Sequence, residues 1–68
     1  MKLTKVIGNG KEMFEIYSFN VKADRYGYKH FINTNVDGYS PKWEEVSRHL
    51  GIDSNCVKLL EKRIQEVV

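Results

Sequence analysis

An α+β domain, with a short three-stranded antiparallel sheet followed by two packed C-terminal helices, is the fold class this sequence predicts. Three observations carry it. Residues 1–38 run in short aromatic and β-branched stretches separated by turn residues, as a meander of strands would. From residue 39 the apolar spacing changes to the helical period. The chain has 68 residues, too few for more than one domain, since an ordinary domain takes ~100–150.

The first strand is expected over Lys2–Ile7, where Thr4, Val6 and Ile7 are β-branched. It ends at Gly8-Asn9-Gly10, and Asn-Gly favours a type I′ hairpin because both residues tolerate positive φ. Met13–Val21 is the second strand, aromatic and β-branched along its length. Asp24-Arg25-Tyr26-Gly27 supplies the next turn, with Gly27 free to take a left-handed conformation. Tyr28–Val36 is the third strand. In it Tyr28, His30, Ile32, Thr34 and Val36 share one face, and the other carries Lys29, Phe31, Asn33 and Asn35. Asp37-Gly38 breaks the run.

Ser40-Pro41 then has the form of a helix N-cap followed by proline in the first turn. Trp43, Val46, Ser47 and Leu50 fall at helical spacing, and Gly51 is placed to end that helix. Asp53 or Ser54 caps a second helix, whose apolar face is Val57, Leu60, Ile64 and Val67. The predicted core joins Trp43, Val46, Leu50, Val57, Leu60 and Ile64 to Ile32 and to Ile16 or Tyr17.

Composition narrows the function classes. With 41% hydrophobic residues, four Tyr, three Phe and one Trp, the chain has enough apolar surface to fold. No apolar run approaches a membrane span or a signal-peptide core, so no membrane partner is expected. One cysteine excludes an internal disulfide and a cysteine-based zinc site. A reducing cytoplasm is therefore the expected compartment. The net charge is +2 with a pI near 8.8. The excess lies in residues 1–38, which hold six basic and four acidic side chains, whereas residues 39–68 hold five of each.

Enzyme chemistry has no support in the residues. Cys56, His30 and His49 lack a neighbouring base or orienting group, and the two histidines are not placed as an i, i+4 metal pair. Gly8-Asn9-Gly10-Lys11 lacks the Gly-Lys-Ser/Thr ending of a phosphate loop. No catalytic residue, metal or cofactor is expected.

One pattern points to a partner. Trp43–Lys62 reads Trp-Glu-Glu-Val-Ser-Arg-His-Leu-Gly-Ile-Asp-Ser-Asn-Cys-Val-Lys-Leu-Leu-Glu-Lys. Val46 and Leu50 would pack a first helix, Ser47 is small where a second helix crosses, Gly51 turns, and Ile52, Val57 and Leu60 continue the apolar stripe. This stretch resembles the helix-turn-helix unit of bacterial and phage DNA-binding proteins, although Ser47 stands where that family more often has alanine. The resemblance implies a small DNA-binding regulator of a phage or mobile element. Ser54, Asn55, Lys58 and Lys62 would then face the major groove. Around the second turn, Lys22, Arg25 and Lys29 lie among Tyr26 and Tyr28, a mixture suited to phosphate contacts. The same residues also fit a plain pair of helices with a protein-binding surface, such as a compact inhibitor docking on a host protein. Leu59 and Cys56, off the main stripe, suggest a homodimer surface.

Overall fold

The computed structural model describes residues 1–35, 38 and 40–65. Four strands form one antiparallel sheet in sequence order: β1 (Lys2–Gly8), β2 (Glu12–Asn20), β3 (Arg25–Asn33) and β4 (Trp43–Ile52). A single helix, α1 (Ser54–Gln65), follows.

The β1–β2 hairpin forms where Asn-Gly predicts it, but by another device. Neither Asn9 nor Gly10 has positive φ. Instead the Asn9 side-chain oxygen accepts the Lys11 and Glu12 amides at 2.7 and 2.9 Å, an Asx turn that satisfies the backbone without a type I′ geometry. The β2–β3 turn comes earlier than expected, over residues 21–24. Asp24 takes the left-handed conformation (φ 56°) there, and Gly27 lies inside β3 opposite Tyr17 and Leu50.

α1 packs on one face of the sheet and closes the core. Phe14, Ile16, Ile52, Val57 and Ile64 are buried, with Ile7, Tyr26, Tyr28, Cys56 and Leu60 packed around them. The His30 ring stacks on Phe14 at 4.3 Å. At the helix start, Asp53 accepts the Cys56 amide at 2.9 Å, so of the two predicted caps Asp53 is the one that acts. The hydrogen bond from the Cys56 backbone holds the Asp53 carboxyl below its ordinary value. Asp24 reaches over from the β2–β3 turn and accepts the amide and hydroxyl of Ser54, each at 3.2 Å.

The predicted fold class is corrected in its third quarter. The described residues form four strands and one helix, because Trp43–Ile52 is a strand paired along β3 and not the first of two helices. Without it, β3 would leave a row of backbone groups unpaired, and pairing overrides the moderate helix propensity of Glu44, Glu45 and Arg48. Two irregularities in the β3–β4 register hide the strand's alternation. Val46 is passed over between the pairs His30–Ser47 and Phe31–Glu45, and Gly51 between Gly27–Leu50 and Tyr26–Ile52. Gly51 does take positive φ (83°), but as the extra residue of a bulge, not as a helix cap.

The core changes accordingly. Val46 and Leu50 are exposed (49% and 60%), Trp43 is half-buried, and Ile32 lies near the surface. Val57 and Ile64 are buried as predicted, and of the alternatives Ile16 and Tyr17 it is Ile16 that is buried, while Tyr17 is on the opposite face of the sheet. The predicted strand end at Val36, the break at Asp37 and the helix residue Val67 lie outside the described residues.

Candidate binding surfaces

Among the described residues, one helix covers one face of a four-stranded sheet and leaves the other open. Cross-strand register assigns each residue to a face, because paired side chains project to the same side. The open face has three rows across the strands. Leu3, Tyr17, Gly27 and Leu50 make the first, Val6, Glu15, Lys29 and Arg48 the second, and Gly8, Met13, Phe31 and Glu45 the third. Trp43 extends it beside Asn33.

Aromatic and aliphatic groups ring a charged centre on this face. The Tyr17 hydroxyl donates to Glu15 Oε1 at 2.6 Å, which holds the Tyr17 phenol above its ordinary value, with burial and the Glu15 charge acting the same way. Lys29 Nζ sits 5.3 Å from the Tyr17 ring centre, within cation–π range. Arg48 grips Glu45 through two hydrogen bonds of 3.1 and 3.0 Å. These lower the Glu45 carboxyl and raise the Arg48 guanidinium. Phe19 and Leu50 lean over Gly27, where an added Cβ would stand 2.7 and 3.0 Å from their side chains. The glycine is there for space.

The seven residues predicted to touch DNA fall into three places. Asn55, Lys58 and Lys62 share one exposed stripe of α1 with Leu59 between them, at the spacing of successive helical turns. Ser54 is partly buried and bonded to Asp24. Lys22 lies in the β2–β3 turn and Arg25 begins β3, so this turn and the start of α1 are neighbours through the Asp24–Ser54 contact. Lys29 is separated from all of these, on the opposite face of the sheet. The strand at Trp43–Ile52 occupies the segment where the first helix of a helix-turn-helix would stand.

The open face itself escaped the sequence reading. Phe31 was visible as part of an alternate strand face, but Trp43 and Leu50 joined it only through β4. The available signal was the Trp-x-x-Val-x-x-x-Leu run, which fits a helix as well as a bulged strand.

Two other features complete the surface. A cleft of about 320 Å³ between β1, the β2–β3 turn and α1 is lined by Ile16, Val21, Tyr26 and Val57, with Lys5 and Lys58 among its walls. Lys5 is already paired with Glu61 at 2.6 Å. At the far end of the covered face, Glu12 Oε1 lies 3.3 Å from Arg63 Nε and 3.6 Å from His30 Nε2. Among the described residues no group of three His, Cys, Asp or Glu side chains is placed to hold a metal ion. Nor is any helix there long and apolar enough to cross a membrane. Compared with known proteins, the chain matches no family model, no curated protein and no solved structure.

Proposed function

We propose that this chain is a non-enzymatic protein-binding module that works through the open face of its sheet in a reducing cytoplasm. The observation that carries the reading is the composition of that face. Tyr17, Phe19, Phe31, Trp43, Met13 and Leu50 surround two positive and two negative side chains. Aromatic and Met side chains are enriched in protein interfaces. A face with balanced charge offers little to a polyanion, because phosphate binding draws its affinity from unpaired Lys and Arg. Each positive group on this face already has a companion: Arg48 has Glu45, and Lys29 has the Tyr17 ring.

A second reading rests on α1. Its exposed stripe of Asn55, Lys58 and Lys62 can enter a major groove ~12 Å wide as a single helix, without a helix-turn-helix around it. Asn55 would meet adenine, and Lys58 and Lys62 would meet guanine or phosphate.

Paired surface variants separate the two. Affinity capture from a cell lysate is compared for the wild type, a Phe31→Ser/Leu50→Ser face variant and a Lys58→Ala/Lys62→Ala helix variant. The protein-binding reading expects the face variant to lose its partner and the helix variant to keep it. DNA affinity in ~50 mM salt that falls steeply as salt rises, and that only the helix variant loses, favours the second reading instead.

A further inference from the structure

We infer that the occupant of the open face is a second copy of this chain, packed sheet to sheet about a two-fold axis that runs parallel to the strands between β2 and β3. The inference rests on the protein-binding reading of that face and names its partner.

The charge pattern selects both the partner and the axis. With a two-fold along the strands, β2 of each copy lies over β3 of the other, and β1 lies over β4. The rows then meet in register near the axis. Glu15 of each copy faces Lys29 of the other, Arg48 faces Val6, and Glu45 faces Gly8. No like charges oppose one another. The apolar rows also match, with Leu3 over Leu50 and Met13 over Phe31. An in-plane axis perpendicular to the strands does the reverse. It stacks each strand on itself and sets Glu15 on Glu15, Lys29 on Lys29 and Arg48 on Arg48, which like-charge repulsion forbids. Self-complementarity of one patch is what an isologous dimer requires, and aligned packing of two twisted sheets is a standard arrangement.

Size agrees. Four strands of seven to ten residues, ~4.8 Å apart and rising ~3.4 Å per residue, give a face of roughly 500 Å² in plan. Side-chain relief brings its accessible area toward the ~800 Å² that each partner of a standard interface buries. The chain also exposes 4991 Å² in total, above the ~4,450 Å² of a compact folded monomer of its mass.

Sedimentation equilibrium of the full chain tests this with charge-reversed variants. Wild type is expected to be a dimer, and Glu15→Lys and Lys29→Glu each to dimerise at least tenfold more weakly. An equimolar mixture of the two is expected to restore the dimer, because each reversed residue then meets its opposite across the interface. Restoration also proves that both variants fold. A wild type that stays monomeric at several hundred micromolar overturns the inference. So does a dimer that neither variant weakens, the behaviour of a dimer built on Leu59 and Cys56. The broader reading fails separately: it survives a monomeric wild type if capture of another protein still requires Phe31 and Leu50, and falls with the inference if it does not.

Discussion

Glycines show how a single position couples sequence to packing here. Gly27 looks in sequence like a turn residue needing left-handed φ, yet it is a buried strand residue whose missing side chain makes room for Phe19 and Leu50. Local sequence records that glycine is tolerated, not whether φ or volume demands it. Gly8 is the harder constraint. A Cβ there would fall 2.5 Å from Met13 Cβ and 2.9 Å from the Glu12 carbonyl, atoms that cannot swing aside. At Gly27 the two nearest atoms, at 2.7 and 3.0 Å, are the far ends of the Phe19 and Leu50 side chains, and the His49 carbonyl follows at 3.1 Å. Overpacking of this kind costs ~1–3 kcal/mol. We therefore expect Gly8→Ala to fall at the top of that range or beyond, and Gly27→Ala near its bottom. Urea unfolding of the two variants checks the order. A Phe19→Ala background is expected to shrink the Gly27→Ala cost and to leave the Gly8→Ala cost unchanged.

Elements defined by local signals were legible, and the one defined by its neighbours was not. The two hairpins and α1 carry their own punctuation: Asn9 and Asp24 at the turns, and Asp53 at the helix start. β4 has none. Its helical spacing of Trp43, Val46 and Leu50 arises because the bulged Val46 breaks the period of two, and only the unpaired edge of β3 decides the matter. That decision leaves a test at Gly51, whose φ of 83° costs an L-residue ~1–2 kcal/mol. Gly51→Ala is expected to destabilise by about that amount, and Gly51→Asn by less, since asparagine visits this region more easily. α1 makes a second prediction through its cap. The Asp53 carboxyl is held low by its bond from the Cys56 amide, so the folded state favours the ionised form. Its contribution is complete above the ordinary aspartate value of ~3.9 and is lost as pH falls through the lower folded value. Asp53→Asn keeps an oxygen acceptor but does not titrate. The stability difference between wild type and Asp53→Asn is therefore expected to stay flat from pH 8 down to about 5 and to shrink on further acidification, as thermal unfolding across pH would show.

At the scale of the whole molecule, a sheet of this length with one helix is thinner than a self-sufficient domain. The radius of gyration is 12.7 Å with extents of 42 × 24 × 16 Å, whereas a compact chain of this length has ~11 Å. Among the described residues the buried apolar core is five side chains, all on the helix side. The sequence reading placed Val57 and Ile64 in that core correctly, because the helical period alone decides them, and it left Ile16 and Tyr17 as alternatives, of which Ile16 is the buried one. It could not foresee that Tyr17, Phe31, Trp43 and Leu50 would assemble on the far side, since their meeting depends on the register of four strands. A dimer that buries this second face completes the missing layer and ties stability to concentration by mass action. In the dimeric range the free monomer scales with the square root of total chain. Each tenfold rise in concentration thus stabilises each folded chain by about half of the ~1.4 kcal/mol that a decade of affinity represents, or ~0.7 kcal/mol. Unfolding midpoints of the wild type in urea are expected to climb between ~10 and ~100 µM by that increment divided by the m-value. Glu15→Lys, whose charge would oppose Lys29 of the other copy, is expected to unfold at a lower midpoint than the wild type at each concentration in that range, because its dimer is at least tenfold weaker. A wild-type midpoint that stays independent of concentration up to several hundred micromolar would mean that no second copy covers the open face, and that one chain sustains the fold without it.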